Sequence, residues 1–374
     1  MIGFDGTAAG LGRLHKGMPR DPDSGQDAGF IEMRGFGFNP GGLRMLAYVP
    51  EGLVANAPLV VVLHGCAQRA GAHARAAGWL TLADRLGFAV LAPEQESANN
   101  QNRCFNWYEP GDTRRGSGEA ASIHAMVRHM LRSHRLDAER VFVTGLSAGG
   151  AMASVLLATY PETFAAGAVV AGLPFGVAGN MQEAFAAMHG ASRLNSEELG
   201  ARVSGAAPAP RRRPRLAIWH GQADSTVTSS NAQTLARQWA ALHGLDEKPD
   251  EVRVRGPWTR SVWRGPGGEA LIEMNLLAGM GHGTPLAATG REPIGKAAPF
   301  MLEAGVSSAL ETARFWGLAP MEPAADAQAW APSATPPNPQ VHKMGDIMAS
   351  LSGHVPADVQ RVIAKALASA GLMR

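Results

Sequence analysis

With 374 residues, of which 45% are hydrophobic and 18% charged, the chain can bury the core of one large α/β domain with tails or of two ordinary domains, and disorder throughout is excluded. A net charge of +2 gives no argument for a nucleic-acid partner, and the local run Arg211-Arg212-Arg213-Pro214-Arg215 reads as a solvated loop before a strand. No stretch of about 18 apolar residues argues for a membrane span, and the opening residues, with Asp5, His15, Lys16 and Arg20 among glycines, lack the apolar core of a signal peptide.

Residues 1–28 carry no periodicity and read as a loosely ordered extension. Met33 to Val49 is predicted to be an antiparallel opening hairpin turning at Asn39-Pro40-Gly41-Gly42. Leu59-Val60-Val61-Val62-Leu63 is a continuous β-branched run, the pattern of a strand covered on both faces in a parallel sheet. A helix follows over Trp79 to Leu86, stopped by Gly87, and then a buried strand over Phe88 to Ala92. The stretch from Glu94 to Gly116 has little periodicity; a loop of that length inside a domain is usually functional. Glu119 to His134 has an apolar stripe of Ile123, Met126, Val127, Met130 and Leu131, which makes it an amphipathic helix.

Further strands are expected at Val141 to Val143, Phe164 to Val170, Leu216 to His220, Val252 to Val254 and Ala270 to Leu277, the last two flanking a turn near Gly265-Pro266-Gly267-Gly268. Thr228 to Leu242 and Phe300 to Trp316 read as helices, and Gly176 to Pro210 as a variable region able to form helices over the active face. Strands alternating with helices predict an α/β class fold, a doubly wound, mainly parallel sheet of about eight strands over residues 29–318. Pro and Ala then dominate 319–341 as in a linker, and 342–374 shows helical spacing.

The chemistry centres on Gly145-Leu146-Ser147-Ala148-Gly149-Gly150. A short buried strand runs into Gly-x-Ser-x-Gly and then a helix of small residues, which is the order of events in a nucleophile elbow. The tight turn holds the serine at strained dihedrals, and the helix start aims backbone N–H groups where negative charge develops. A serine hydroxyl needs a general base, and the base an orienting carboxylate.

In chain order the first aspartate after Ser147 is Asp224, just past a strand end, while Asp246 and Asp250 fall in a polar connection. Of His243, His282, His342 and His354, only His282 stands in a glycine-flanked loop after a strand. Ser147, Asp224 and His282 are therefore the candidate catalytic residues. The backbone N–H groups of Ala148 and Cys66 are the candidate oxyanion donors, the second on the loop His64-Gly65-Cys66. His64 itself reads as a structural hydrogen bonder. No metal or cofactor is expected, because no His-Glu-x-x-His, paired Cys-x-x-Cys or phosphate-binding glycine motif occurs.

Four blocks taken together, Leu63-His64-Gly65-Cys66, Asn102-Arg103-Cys104-Phe105-Asn106-Trp107, Gly145-Leu146-Ser147-Ala148-Gly149-Gly150 and His220-Gly221-Gln222-Ala223-Asp224, resemble the polyhydroxybutyrate depolymerase family of esterases, an α/β-hydrolase family. The resemblance spans roughly residues 40 to 318. It implies hydrolysis of carboxylic esters through an acyl-enzyme, on hydroxyalkanoate oligomers or polymer, with feruloyl, acetylxylan or other short acyl esters as the alternative. A non-catalytic module of the same fold that binds polymers or partners is the alternative of another class. The resemblance also places Trp107 along the substrate cleft, where an ordinary core aromatic is the competing reading. It implies a disulfide between Cys66 and Cys104 and leans towards an extracellular or periplasmic setting; without a leader, two reduced thiols are the alternative.

Overall fold

In the computed structural model, which describes residues 27–321 apart from positions 191, 193, 209, 211 and 291, helices cover both faces of a ten-stranded sheet. The expected helical tail, all but the first three residues of the expected linker, and nearly all of the N-terminal extension lie outside the described residues.

The chain enters through β1 (Ile31–Glu32) and β2 (Arg44–Tyr48), an antiparallel pair at one edge. All five residues of β3 (Leu59–Leu63) are buried, as its unbroken β-branched run requires. Next come α1 (Ala70–Ala76) and α2 (Trp79–Leu86), the latter ended by Gly87 at φ 72°, and β4 (Ala89–Glu94). The short α3 (Pro110–Thr113) and the amphipathic α4 (Gly118–Ser133) lead to β5 (Val141–Leu146), α5 (Ala148–Thr159) and β6 (Ala166–Val170). The variable region forms α6 (Met181–Met188) and α7 (Ser196–Ser204). Then follow β7 (Arg215–Gly221), α8 (Ser230–His243), β8 (Glu251–Arg255), β9 (Trp258–Arg264) and β10 (Ala270–Leu277), and finally β11 (Thr284–Leu286), β12 (Met301–Glu303) and α9 (Ser308–Trp316).

The strand order is β1-β2-β4-β3-β5-β6-β7-β10-β9-β8. From β4 to β10 all neighbours are parallel, and antiparallel strands close both edges. The chain leaves β3 towards one edge and β5 towards the other, so the crevice at their carboxyl ends is a topological switch point, where open α/β sheets bind ligands. Alternation splits the core in two. Leu59, Val61 and Leu63 join the layer containing Met126, Leu156 and Trp239, whereas Val60 and Val62 join the layer containing Trp79, Phe88 and Trp316.

Two expectations change. The sheet gains β9, whose Trp258-Thr259-Arg260-Ser261-Val262-Trp263-Arg264 breaks the simple alternation and hides a strand that pairs with both β8 and β10. The closing helix is shorter than Phe300 to Trp316: Met301–Glu303 is a strand paired with β11, Gly305 turns the chain at φ 68°, and α9 begins only after Ser307, whose hydroxyl accepts from the Leu310 N–H at 3.2 Å.

The elbow helix lies close enough to the sheet to need bare backbone. A Cβ on Gly149 would stand 2.5 Å from the carbonyl oxygens of both Leu63 and His64. The Gly149→Ala substitution is therefore expected to destabilise the fold by about 1–3 kcal/mol, read as a lowered urea midpoint with an unchanged m-value.

Candidate active site

Register gathers the site at one rim. Leu63 pairs with Gly145, Leu146 with Val170 and Gly221 with Leu277, so the loops after β3, β5, β7 and β10 all leave the carboxyl edge of the sheet. Those loops carry Cys66, Ser147, Asp224 and His282.

Ser147 sits at φ 56°, ψ −117°, a conformation rare for a residue with a side chain. Its N–H donates to the Val170 carbonyl at 2.8 Å, and its own carbonyl accepts from Ala151 at 2.9 Å, which locks the turn from both sides. Although it occupies the N-cap of α5, its hydroxyl does not cap the helix, and it makes no hydrogen bond to any described residue. That departs from the usual use of serine at this position and leaves the hydroxyl available.

Asp224 is buried. Its Oδ1 accepts from the N–H groups of Thr226 and Val227, both at 2.9 Å, and its Oδ2 stands 2.7 Å from Nδ1 of His282. Nε2 of His220 lies 3.3 Å from the same oxygen and 2.8 Å from the Val227 carbonyl, within reach of both acceptors. Burial alone would push the Asp224 carboxyl up; the hydrogen bonds from His220, His282 and Val227 and the attraction of His282 outweigh it and hold the group well below the usual carboxylate range. A carboxylate that stays ionised fixes the tautomer of His282 with a proton on Nδ1, leaving Nε2 to accept. The structure thus joins Asp224 to His282 but draws no hydrogen bond from His282 to Ser147. Leu146, next to Ser147, and Met280, two residues before His282, pack in one apolar cluster with Trp219 and Leu277.

On the loop after β3 three N–H groups are engaged. Gly65 donates to Oε1 of Gln68 at 2.8 Å, Ala67 to the Asn102 carbonyl at 2.7 Å and Gln68 to the Gly65 carbonyl at 3.3 Å. The N–H of Cys66 has no acceptor among the described residues, and neither has that of Ala148, the first residue of α5. His64 is fully buried; Nε2 accepts from the Gln95 N–H at 3.0 Å and Nδ1 faces the Gly65 carbonyl at 2.8 Å. Burial pushes its pKa down, so it is a neutral structural bridge.

A disulfide joins Cys66 to Cys104, with Cα atoms 4.2 Å apart. The residues next to it, Ala67 and Arg103, take φ values of 59° and 49°, so both loops bend sharply where they are tied. Trp107 is 9% exposed, stands edge-on to Tyr108 at 5.4 Å, and belongs to the core cluster that includes Ala148.

Sequence reasoning did not single out the group that holds this loop from below. Glu119, in the first turn of α4, is 1% exposed and accepts from the Asn106 N–H at 2.9 Å and from the side-chain amide of Gln95, which also donates to the Cys104 carbonyl at 3.2 Å. Burial, reinforced by Asp112, pushes its pKa up to about 8 against the pull of those hydrogen bonds. An acid in a first helical turn is ordinarily a solvated partner of the helix dipole, so no sequence signal marks this one as buried. His220, seen only as part of a block, and Gln68 were also missed: the first is buried at a strand end beside Asp224, and the second links Gly65 to the distant Pro299.

The fold is that of the α/β-hydrolases; a solved acetyl xylan esterase from Aspergillus awamori superposes with a TM-score of 0.66 over 78% of this chain and 99% of that one, at 24% identity. The family described as Esterase PHB depolymerase matches residues 43–257, a span holding Ser147 and Asp224 and ending before His282. A poly(3-hydroxyalkanoate) depolymerase C from Paucimonas lemoignei is 42% identical over 289 residues, 77% of this chain and 70% of that protein. Acetylxylan esterase A from Emericella nidulans is 32% identical over 70% of this chain and 86% of that one. The chain belongs to the Esterase PHB depolymerase family and is a carboxylic ester hydrolase.

Two outcomes follow from the loop ties. Replacing both cysteines by serine should cost about 4 kcal/mol of stability by the chain-entropy relation for a 38-residue separation, with kcat falling as the Cys66 N–H loses its position; thermal melts and ester assays check both. Glu119 binds its proton more tightly folded than unfolded, so its contribution is full below about pH 4.5 and is lost as pH rises towards 8. Urea midpoints measured from pH 4.5 to 8 should show this decline in the wild type and lose it in Glu119→Gln.

Proposed function

We propose that Ser147, His282 and Asp224 act as the catalytic triad. Ser147 attacks the ester carbonyl as His282 Nε2 takes its proton; the tetrahedral oxyanion is held by the N–H groups of Cys66 and Ala148. His282 then returns the proton to the leaving alcohol, and an acyl-enzyme remains. Water, deprotonated by His282, attacks that ester, and the acid leaves with the serine restored. The observation that carries this reading is the 2.7 Å contact between His282 and the buried Asp224, on loops that leave the same rim as the strained Ser147. The missing Ser147–His282 hydrogen bond fits a resting site, where such contacts are often long until substrate binds. Trp107, 9% exposed, is proposed to border the acyl side, as the family resemblance implies.

The proposed substrates are hydroxyalkanoate oligomers or polymer, on the strength of the 42% relative named as a poly(3-hydroxyalkanoate) depolymerase. The acetylxylan esterases, and a feruloyl esterase B from Talaromyces stipitatus at 29% identity, support the second reading, a carbohydrate-linked acyl or feruloyl ester.

With p-nitrophenyl butyrate, Ser147→Ala and Asp224→Asn should each lower kcat by about 10⁴-fold or more while the fold is retained by circular dichroism. Full activity in Ser147→Ala rules the triad out. Parallel incubation with hydroxybutyrate oligomers, amorphous polymer and a feruloyl ester should release hydroxybutyrate products; release from the feruloyl ester alone overturns the substrate and leaves the mechanism standing.

A further inference from the structure

Phe300 combines three properties that rarely meet. It is a large aromatic that is 45% exposed, its backbone sits at φ 63°, and its ring stands edge-on to the imidazole of His282 with centroids 6.2 Å apart. A bulky residue in the left-handed region is strained, and such strain persists where the surroundings enforce it, often at a functional site.

The surroundings do enforce it. The Phe300 carbonyl accepts from the Thr284 N–H at 2.8 Å, two residues beyond His282, and a Cβ on Gly283 would stand 2.7 Å from that same oxygen. One residue earlier, the Pro299 carbonyl accepts from Nε2 of Gln68 at 3.3 Å, while Oε1 of Gln68 holds the Gly65 N–H at 2.8 Å. The segment therefore spans from the base to the loop of the oxyanion donor, with its aromatic ring beside the base. The part of the ring left open to water gains nothing from burial in the free protein.

We propose that Phe300 is a specificity-determining residue whose ring contacts the alcohol portion of the ester. This rests on His282 being the group that hands a proton to the leaving alcohol, which puts the alcohol's oxygen at the imidazole and its carbon substituents against whatever flanks that ring. The flanking surface is aromatic and uncharged, so it selects an apolar alcohol branch, as in the hydroxyl end of a 3-hydroxyacyl unit, over a bare methyl.

The test holds the acyl group constant and varies the alcohol. Wild type, Phe300→Gly and Phe300→Leu are assayed by pH-stat on methyl butyrate and on the butyrate ester of methyl 3-hydroxybutyrate, with Ser147→Ala as control. In Phe300→Gly, kcat/KM should fall about tenfold on the branched alcohol ester and stay within twofold on methyl butyrate. Its Tm should hold or rise, because glycine relieves the positive φ. Phe300→Leu should keep most of the preference without the gain in Tm. An unchanged ratio of the two substrates overturns the proposal, and so does an equal fall on both, which would make the ring a support for His282. Activity surviving in Ser147→Ala would instead remove the triad on which the proposal stands.

Discussion

The approach of α5 to the end of β3 is the constraint from which the rest of the site follows. Helix and strand come so near at Gly149 that two carbonyl oxygens occupy the space of a side chain. The same closeness forces Ser147 into a positive φ, sets the Ala148 N–H free at the helix start, and brings it alongside the loop whose Cys66 N–H is also free. Strain and unsatisfied donors are both costs to folding. They coincide at the place where the proposed oxyanion would need them.

Around this point the loops are held by polar contacts that the apolar core cannot supply. Glu94, fully buried, takes Arg69 at 2.9 Å and the Ala70 N–H at 2.8 Å, while also pairing with Arg44. One residue on, Gln95 gives its backbone N–H to His64 and its side chain to Glu119 and Cys104. The carboxyl end of β4 thus fixes both the loop after β3 and the loop carrying Trp107, and the disulfide closes the ring between them. The buried side chains of His64, Glu94, Gln95 and Glu119 each have partners there, as groups removed from water require.

Much of this was legible in the sequence because it depends on short-range pattern. The β-branched run of β3, the glycine after α2 and the Gly-x-Ser-x-Gly turn each specify their own geometry locally. Asp224 and His282 were found by chain order and by their position after strands, and the structure brings these two within hydrogen-bonding distance. What escaped was set by contacts between distant residues. β9 carries arginines and a serine among its tryptophans, so its strand character comes from neighbours on either side rather than from alternation. Glu119 reads as a solvated helix acid, and Phe300 reads as the start of a helix, because neither burial nor φ is written in residue type.

The strand order carries a mechanical consequence. Asp224 and His282 hang from β7 and β10, which are in register along six consecutive pairs, whereas Ser147 hangs from β5 with β6 in between. Asp224 and His282 are therefore held by one directly paired couple of strands, and Ser147 stands one strand further off. Adjacent strands are rotated by roughly 20–25° on average, so the coiling across β6 sets how the imidazole is placed relative to the hydroxyl. The distance between the two side chains is in this way a property of the sheet, and it depends on Gly167 of β6, where an added Cβ would stand 2.4 Å from Leu157 of α5.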